Sequence, residues 1–119
     1  MSERTLRVAE NIKEEIGRML GHGDIKDPRI GFITITDVDV TKDLRQARIF
    51  FSSLGSAKER ADAREGLNSA RGYIRSELGR RLRIKYIPEV DFRFDESVEA
   101  AARISKLIHG IHKSDENID

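Results

Sequence analysis

Residues Ser56 to Lys85 read SAKERADAREGLNSARGYIRSELGRRLRIK. Ser56 and Glu59 have the S-x-x-E spacing of a capping box, in which each side chain satisfies a free backbone donor of the other. Ala63, Leu67, Ala70, Ile74, Leu78 and Leu82 then recur at helical spacing. One straight helix accommodates them poorly. Gly72 falls in mid-pattern, where glycine costs about 1 kcal/mol relative to alanine, and an unbroken wheel sets Arg71 inside the Ile74, Leu78 and Leu82 stripe. A break at Ala70, Arg71 and Gly72 removes both conflicts. The spacing therefore predicts two helices joined by a tight junction, with Gly72 in a conformation costly for other residues.

Strand patterns flank this pair. FITITDVDV, Phe32 to Val40, puts Ile33 and Ile35 on one face and Val38 and Val40 in the opposite phase, which predicts a bulge near Asp37. QARIFFSSL, Gln46 to Leu54, alternates Ala47, Ile49 and Phe51 against Arg48, Phe50 and Ser52. The short TKDLR connection, Thr41 to Arg45, predicts an antiparallel hairpin with Phe50 on its wetter face. After Pro88, EVDFRFDE alternates Val90, Phe92 and Phe94 inward with Asp91, Arg93 and Asp95 outward, a third strand. Upstream, Ala9, Ile12, Ile16, Met19 and Leu20 mark an amphipathic helix over about residues 4–20. GHGDIKDPRIG, Gly21 to Gly31, is a structural loop; it lacks the Gly-Lys-Ser/Thr ending of a phosphate cradle. Downstream, Ser97 is placed to cap a last helix with Ala101, Ile104, Leu107, Ile108 and Ile111 on one side, followed by the polar tail HKSDENID.

The order helix, strand, strand, bent helix pair, strand, helix is that of an α+β domain. A strand arriving after a helical crossover can pair in parallel, giving a small mixed three-stranded sheet with helices on one face. KH domains of type II topology share this order. Residues 4–111 are expected to form one such KH-like domain and residues 112–119 a flexible tail.

The 119-residue chain has 22 Lys and Arg against 21 Asp and Glu, net +1, and no cysteine. Disulfides and thiolate metal sites are excluded. No apolar run approaches the ~20 residues of a membrane span, and MSERTLRVAENIKEE lacks the apolar core of a signal peptide, so a cytoplasmic protein is expected. Against that near-neutral background, Arg71, Arg75, Arg80, Arg81, Arg83 and Lys85 face the single acid Glu77 between Ser69 and Lys85. Such a local excess suits phosphates, and these six are the candidate RNA-binding residues. On a wheel they surround the helix rather than line it. The competing role is complementation of the helix dipole, worth about 0.3–1 kcal/mol per exposed cation.

Catalysis finds no constellation. A nucleophile needs an adjacent base, and the only histidines are His22 in a loop and His109 and His112 near the end. His109 and His112 have helical metal-clamp spacing, but only Asp115 offers a third ligand, so no metal and no cofactor are expected. Glu89, Asp91, Asp95 and Glu96 read as salt-linked surface beside Arg93.

KDPRIGFITITDVDVTKDLRQARIFFSSL (Lys26 to Leu54), SARG (Ser69 to Gly72) and IRSELGRRLRIKYIPEVDFRFDES (Ile74 to Ser97) resemble the ribosome-binding factor A family of bacterial 30S maturation factors. Ala70-Arg71-Gly72 matches the A-x-G form that replaces the KH G-x-x-G loop in this family as its interhelical kink motif. The resemblance implies a non-catalytic, monomeric factor of ribosome biogenesis. It implies binding to the free 30S subunit and its 16S rRNA near the 3′ end, in late rRNA processing and cold shock adaptation. Its further implied partners are ribosomal proteins and assembly GTPases. The alternative is a protein-interaction module docking to ribosomal proteins without RNA contact.

Overall fold

In the computed structural model, which describes residues 3–97, the amphipathic stretches resolve into six elements. In chain order they are α1 (Glu3–Gly21), β1 (Ile33–Val40), β2 (Gln46–Ser53), α2 (Ala57–Ser69), α3 (Arg71–Arg81) and β3 (Glu89–Phe94). The strands lie in the order β1-β2-β3, with β1 antiparallel and β3 parallel to β2. This is the expected mixed α+β sheet. Positions 98–119, including the expected last helix and tail, lie outside the described residues.

The core follows the two periodicities. Ala47, Ile49 and Phe51 of β2 are buried beside Val90 and Phe92 of β3, and Val8, Ala9, Ile12, Ile16 and Met19 turn one side of α1 into the same core. Each fully buried Ile, Phe or Met side chain contributes about 1.5–3 kcal/mol relative to exposure. The bulge falls at Thr36, because Ile35 pairs with Phe51 and Asp37 with Phe50. That extra residue returns Val38 and Val40 to the buried face. Its hydroxyl donates to Asp95 Oδ2 at 2.6 Å. Phe94 is only half-buried, edge-on to Phe51 with ring centroids 5.8 Å apart, under the Arg60 guanidinium.

The capping box forms as expected: Glu59 N–H donates to Ser56 Oγ at 3.2 Å and Ser56 N–H to Glu59 Oε1 at 3.1 Å. At the other predicted cap the roles differ. The Ser97 N–H and hydroxyl both donate to Asp95 Oδ1, at 3.1 and 2.6 Å, so Asp95 is the acceptor there.

The helical junction is tighter than expected. Ala70 alone separates α2 from α3, at φ −88° and ψ 3°. Its N–H is shared between the Gly66 and Leu67 carbonyls, each at 3.1 Å, and its carbonyl accepts from Ile74 N–H at 2.9 Å. The ladder therefore turns without opening. Gly72 sits inside α3 without positive φ and with open space where a Cβ would stand, which corrects the expectation of strain there. Within α2, the glycine that matters sterically is Gly66. A Cβ on it would meet Ile30 Cγ1 at 2.9 Å and Arg29 Cβ and Asp27 Cγ at 3.3 Å. The loop between α1 and β1 thus presses directly on α2, with Ile30 buried. Arg29 secures the contact by donating to Asp27 Oδ2 at 2.8 Å and to Ser69 Oγ at 3.0 Å. The hydrogen bond from Arg29 holds the Asp27 carboxyl below the usual carboxylate range.

Two glycine substitutions should therefore act in opposite directions. Gly72→Ala should stabilise by up to about 1 kcal/mol through helix propensity. Gly66→Ala gains the same propensity but incurs overpacking of about 1–3 kcal/mol against Ile30, and should destabilise. Urea denaturation of both variants measures the contrast; equal shifts would contradict the close approach at Gly66.

Candidate nucleic-acid interface

Helix α3 carries four of the six candidate cations, and the segment leading to β3 carries Arg83 and Lys85. Their surroundings divide them. Arg75 is turned inward along its own chain. Its Nε donates to the Pro88 carbonyl at 3.0 Å, its Nη2 to the Ile87 carbonyl at 2.9 Å, and its Nη1 lies 3.4 Å from Glu89. Those carbonyls precede β3, outside the sheet ladder, and need a donor of this kind. Arg75 therefore fixes the entry of β3.

Arg81 is engaged more heavily. With a side chain only 27% exposed, it contacts Glu77 at 3.1 Å on α3, Glu15 at 3.4 Å on α1 and Asp24 at 3.3 Å in the following loop. Burial disfavours its charge, but its hydrogen bonds to Glu77, Asp24 and Glu15 outweigh that and raise its pKa. Glu77 is a buried carboxylate that also accepts from Arg80 Nη2 at 2.7 Å.

The remaining cations are accessible. Arg80 keeps a side chain 74% exposed despite that pairing. Arg71 is exposed and donates from Nε to the Asn68 carbonyl at 3.2 Å, satisfying an acceptor at the end of α2. Arg83 and Lys85 are exposed and have no ion-pair partner among the described residues. Lys85 Nζ lies 5.5 Å from the Tyr86 ring centroid. The fold thus leaves Arg83 exposed and sets Lys85 beside a partly bare aromatic. Arg75 and Arg81 are drawn into internal networks. Apart from the Glu77 contact of Arg81, sequence spacing could not reveal this, because the other partners stand 12 to 66 positions away.

The open face of the sheet is already neutralised. Arg48 pairs with Asp39 at 2.7 Å and Arg93 with Asp91 at 2.8 Å, flanking half-buried Phe50. Of the carboxylates expected as salt-linked surface, Asp91 pairs with Arg93 and Glu89 with Arg75, while Asp95 accepts from Thr36 and Ser97. Among the described residues no three His, Asp or Glu side chains converge as metal ligands, and no helix is long and apolar enough to cross a membrane. His109, His112 and Asp115 lie outside the described residues.

Comparison with known proteins agrees with the topology. The sequence matches the family profile described as Ribosome-binding factor A over residues 4–108. It is 45% identical over 115 residues to the ribosome-binding factor A of Staphylococcus saprophyticus, covering 97% of this chain and all of the relative. The Caldanaerobacter subterraneus protein of the same name is also 45% identical, over 97% of this chain and 94% of the relative. The solution structure of a Thermotoga maritima relative superposes with a TM-score of 0.67 at 30% identity, covering 78% and 88% of the two chains. The crystal structure of ribosome-binding factor A from Thermus thermophilus gives 0.65 over 75% and 93%; at 19% identity this speaks for the fold alone. A third similar structure is a homology model of the Thermus thermophilus factor fitted into a cryo-EM map of its 30S complex, with TM-score 0.56 and 20% identity over 72% and 93%. The mixed sheet, the bent helical crossover and a match running nearly the length of the chain converge: this chain belongs to the ribosome-binding factor A family.

Proposed function

We propose that this protein binds the free 30S subunit through 16S rRNA and assists its late maturation, without catalysing a reaction. The observation that carries this reading is the family match across nearly the whole chain. The Thermus thermophilus factor fitted into a 30S complex supports the choice of subunit. Contact near the 16S 3′ end, a contribution to rRNA processing, a role in cold adaptation, cytoplasmic location and encounters with assembly GTPases extend the same reading. Within it, Arg71, Arg80, Arg83 and Lys85 are the cations of the candidate set available for phosphates, and Arg75 and Arg81 hold the surface that presents them.

Cosedimentation with 30S subunits, 50S subunits and assembled ribosomes across a salt series tests the proposal. Binding should favour free 30S, and log affinity should fall linearly with log salt, by about 0.7–0.9 for each phosphate contact. Equal binding to both subunits would contradict the reading. Salt-independent binding would favour docking to ribosomal proteins.

Two substitutions separate the roles of the arginines. Arg75→Ala leaves the Ile87 and Pro88 carbonyls without their donor and should destabilise by about 1–3 kcal/mol. Arg83→Glu should alter stability by no more than about 0.5 kcal/mol, as exposed substitutions do, while weakening 30S binding. A thermal melt and a binding assay on each variant check both expectations.

A further inference from the structure

The parallel pairing of β3 with β2 has a geometric effect that no single stretch of sequence announces. Because Glu89 pairs with Gln46, the segment leading into β3 arrives beside the hairpin turn of residues 41–45. Arg4, at the start of α1, reaches the same end of the molecule. Between these three segments lies a cleft of about 360 Å³ lined by Arg4, Lys42, Asp43, Leu44, Ile84, Lys85 and Tyr86. That volume is at the small end of the roughly 300–1,000 Å³ of ligand sites.

The charge of this cleft distinguishes it. Three cations stand against one acid, and the acid is already occupied: Asp43 Oδ1 accepts from Thr41 Oγ1 at 2.8 Å and from Arg45 N–H at 3.1 Å. These bonds hold the Asp43 carboxyl below the usual carboxylate range, so it stays charged but committed to the turn. Arg4, Lys42 and Lys85 have no ion-pair partner among the described residues. Four other clefts on the described surface have at least as many acids as cations on their walls. The floor is apolar, from Leu44 and Ile84. The rim carries Tyr86, 67% exposed. Leu44 is held at φ 62°, the only positive φ at a non-glycine position among the described residues, in a region that bulky side chains rarely adopt.

A concave site with exposed cations, an apolar floor and a largely exposed aromatic ring suits one kind of ligand. Duplex RNA is recognised by shape across its wide minor groove, whereas single strands are bound by stacking bases on aromatic rings while cations follow the phosphates. We propose that the cleft between the hairpin turn and the segment entering β3 binds single-stranded RNA, with Arg4, Lys42 and Lys85 on its phosphates and a base stacked on Tyr86. This inference rests on the proposed 30S binding and names the contact within it. It moves the centre of the interface away from the helical junction and adds Arg4, Lys42 and Tyr86, which lie far apart in sequence.

The test uses full-length protein and purified 30S subunits across a salt series, with thermal melts to confirm folding. The variant with Arg4→Gln, Lys42→Gln and Lys85→Gln should bind more weakly, and its slope of log affinity against log salt should be shallower by about 0.7–0.9 for each contact removed. Tyr86→Ala should weaken binding about 5- to 150-fold, the worth of one stacked base, and Tyr86→Phe should retain it. Unchanged affinity and slope in the triple variant, with wild-type binding intact, would overturn the assignment of the cleft and leave 30S binding standing. Weaker binding with an unchanged slope would also overturn it, by showing that the cleft meets a ribosomal protein. Absence of wild-type binding to 30S would overturn the function and this inference together.

Discussion

The parallel alignment of β2 and β3 is the constraint on which the remaining architecture depends. A two-residue turn cannot join parallel neighbours; the chain must leave β2 beyond Ser53 and travel back the length of the sheet before re-entering at Glu89. An eight-residue strand spans about 26 Å. Residues 57–81 as one straight helix would run about 37 Å and overshoot the sheet they must cover. The turn at Ala70 shortens the path and keeps Leu67, Ile74 and Leu78 over the buried face. Arg75 then secures the landing by holding the last carbonyls before β3. The bend, the apolar face of the helix pair and the position of the basic segment all answer to one requirement of strand pairing.

Elements governed by local periodicity were legible in the sequence. The α1 stripe, the hairpin, the Ser56 and Glu59 box and β3 each rest on spacings of two, three or four residues. Even the bulge was visible, because Ile33 and Ile35 are out of phase with Val38 and Val40. Features that depend on distant neighbours were not. Gly72 stands out in the sequence because glycine in a helix is locally anomalous, while Gly66, a helical glycine required by a close approach, is set against Ile30 from a loop far earlier in the chain. Near Ser97 two acceptors stand within two residues, and the backbone path makes Asp95 the one that accepts from Ser97.

The candidate site shows the same division. The cationic excess could be read directly, but its partition between structure and surface could not. Arg75 and Arg81 look no different in sequence from Arg71 and Arg83. Their roles are set by carbonyls at Ile87 and Pro88 and by carboxylates at Glu15, Asp24 and Glu77. The Glu77 carboxylate is largely removed from water, so two arginines are needed to satisfy it. A count of positive residues therefore overstates what this helix can offer a phosphate. The near-zero net charge of the chain is consistent with many of its arginines being matched at home.

The extra residue at Thr36 also bears on what the sheet does toward other molecules. In the order β1-β2-β3, β1 is an edge strand of eight residues, long enough to present a row of unpaired donors and acceptors to a second chain. A straight, regular edge of that kind is a template for aggregation. Two residues of β1 facing one position of β2 sharpen the local twist, and the Thr36 hydroxyl is tied to Asp95 rather than left outward. An incoming strand could match the edge on one side of the bulge or the other, but not along its whole length. The same irregularity that keeps Val38 and Val40 in the core thus guards the β1 edge of the sheet.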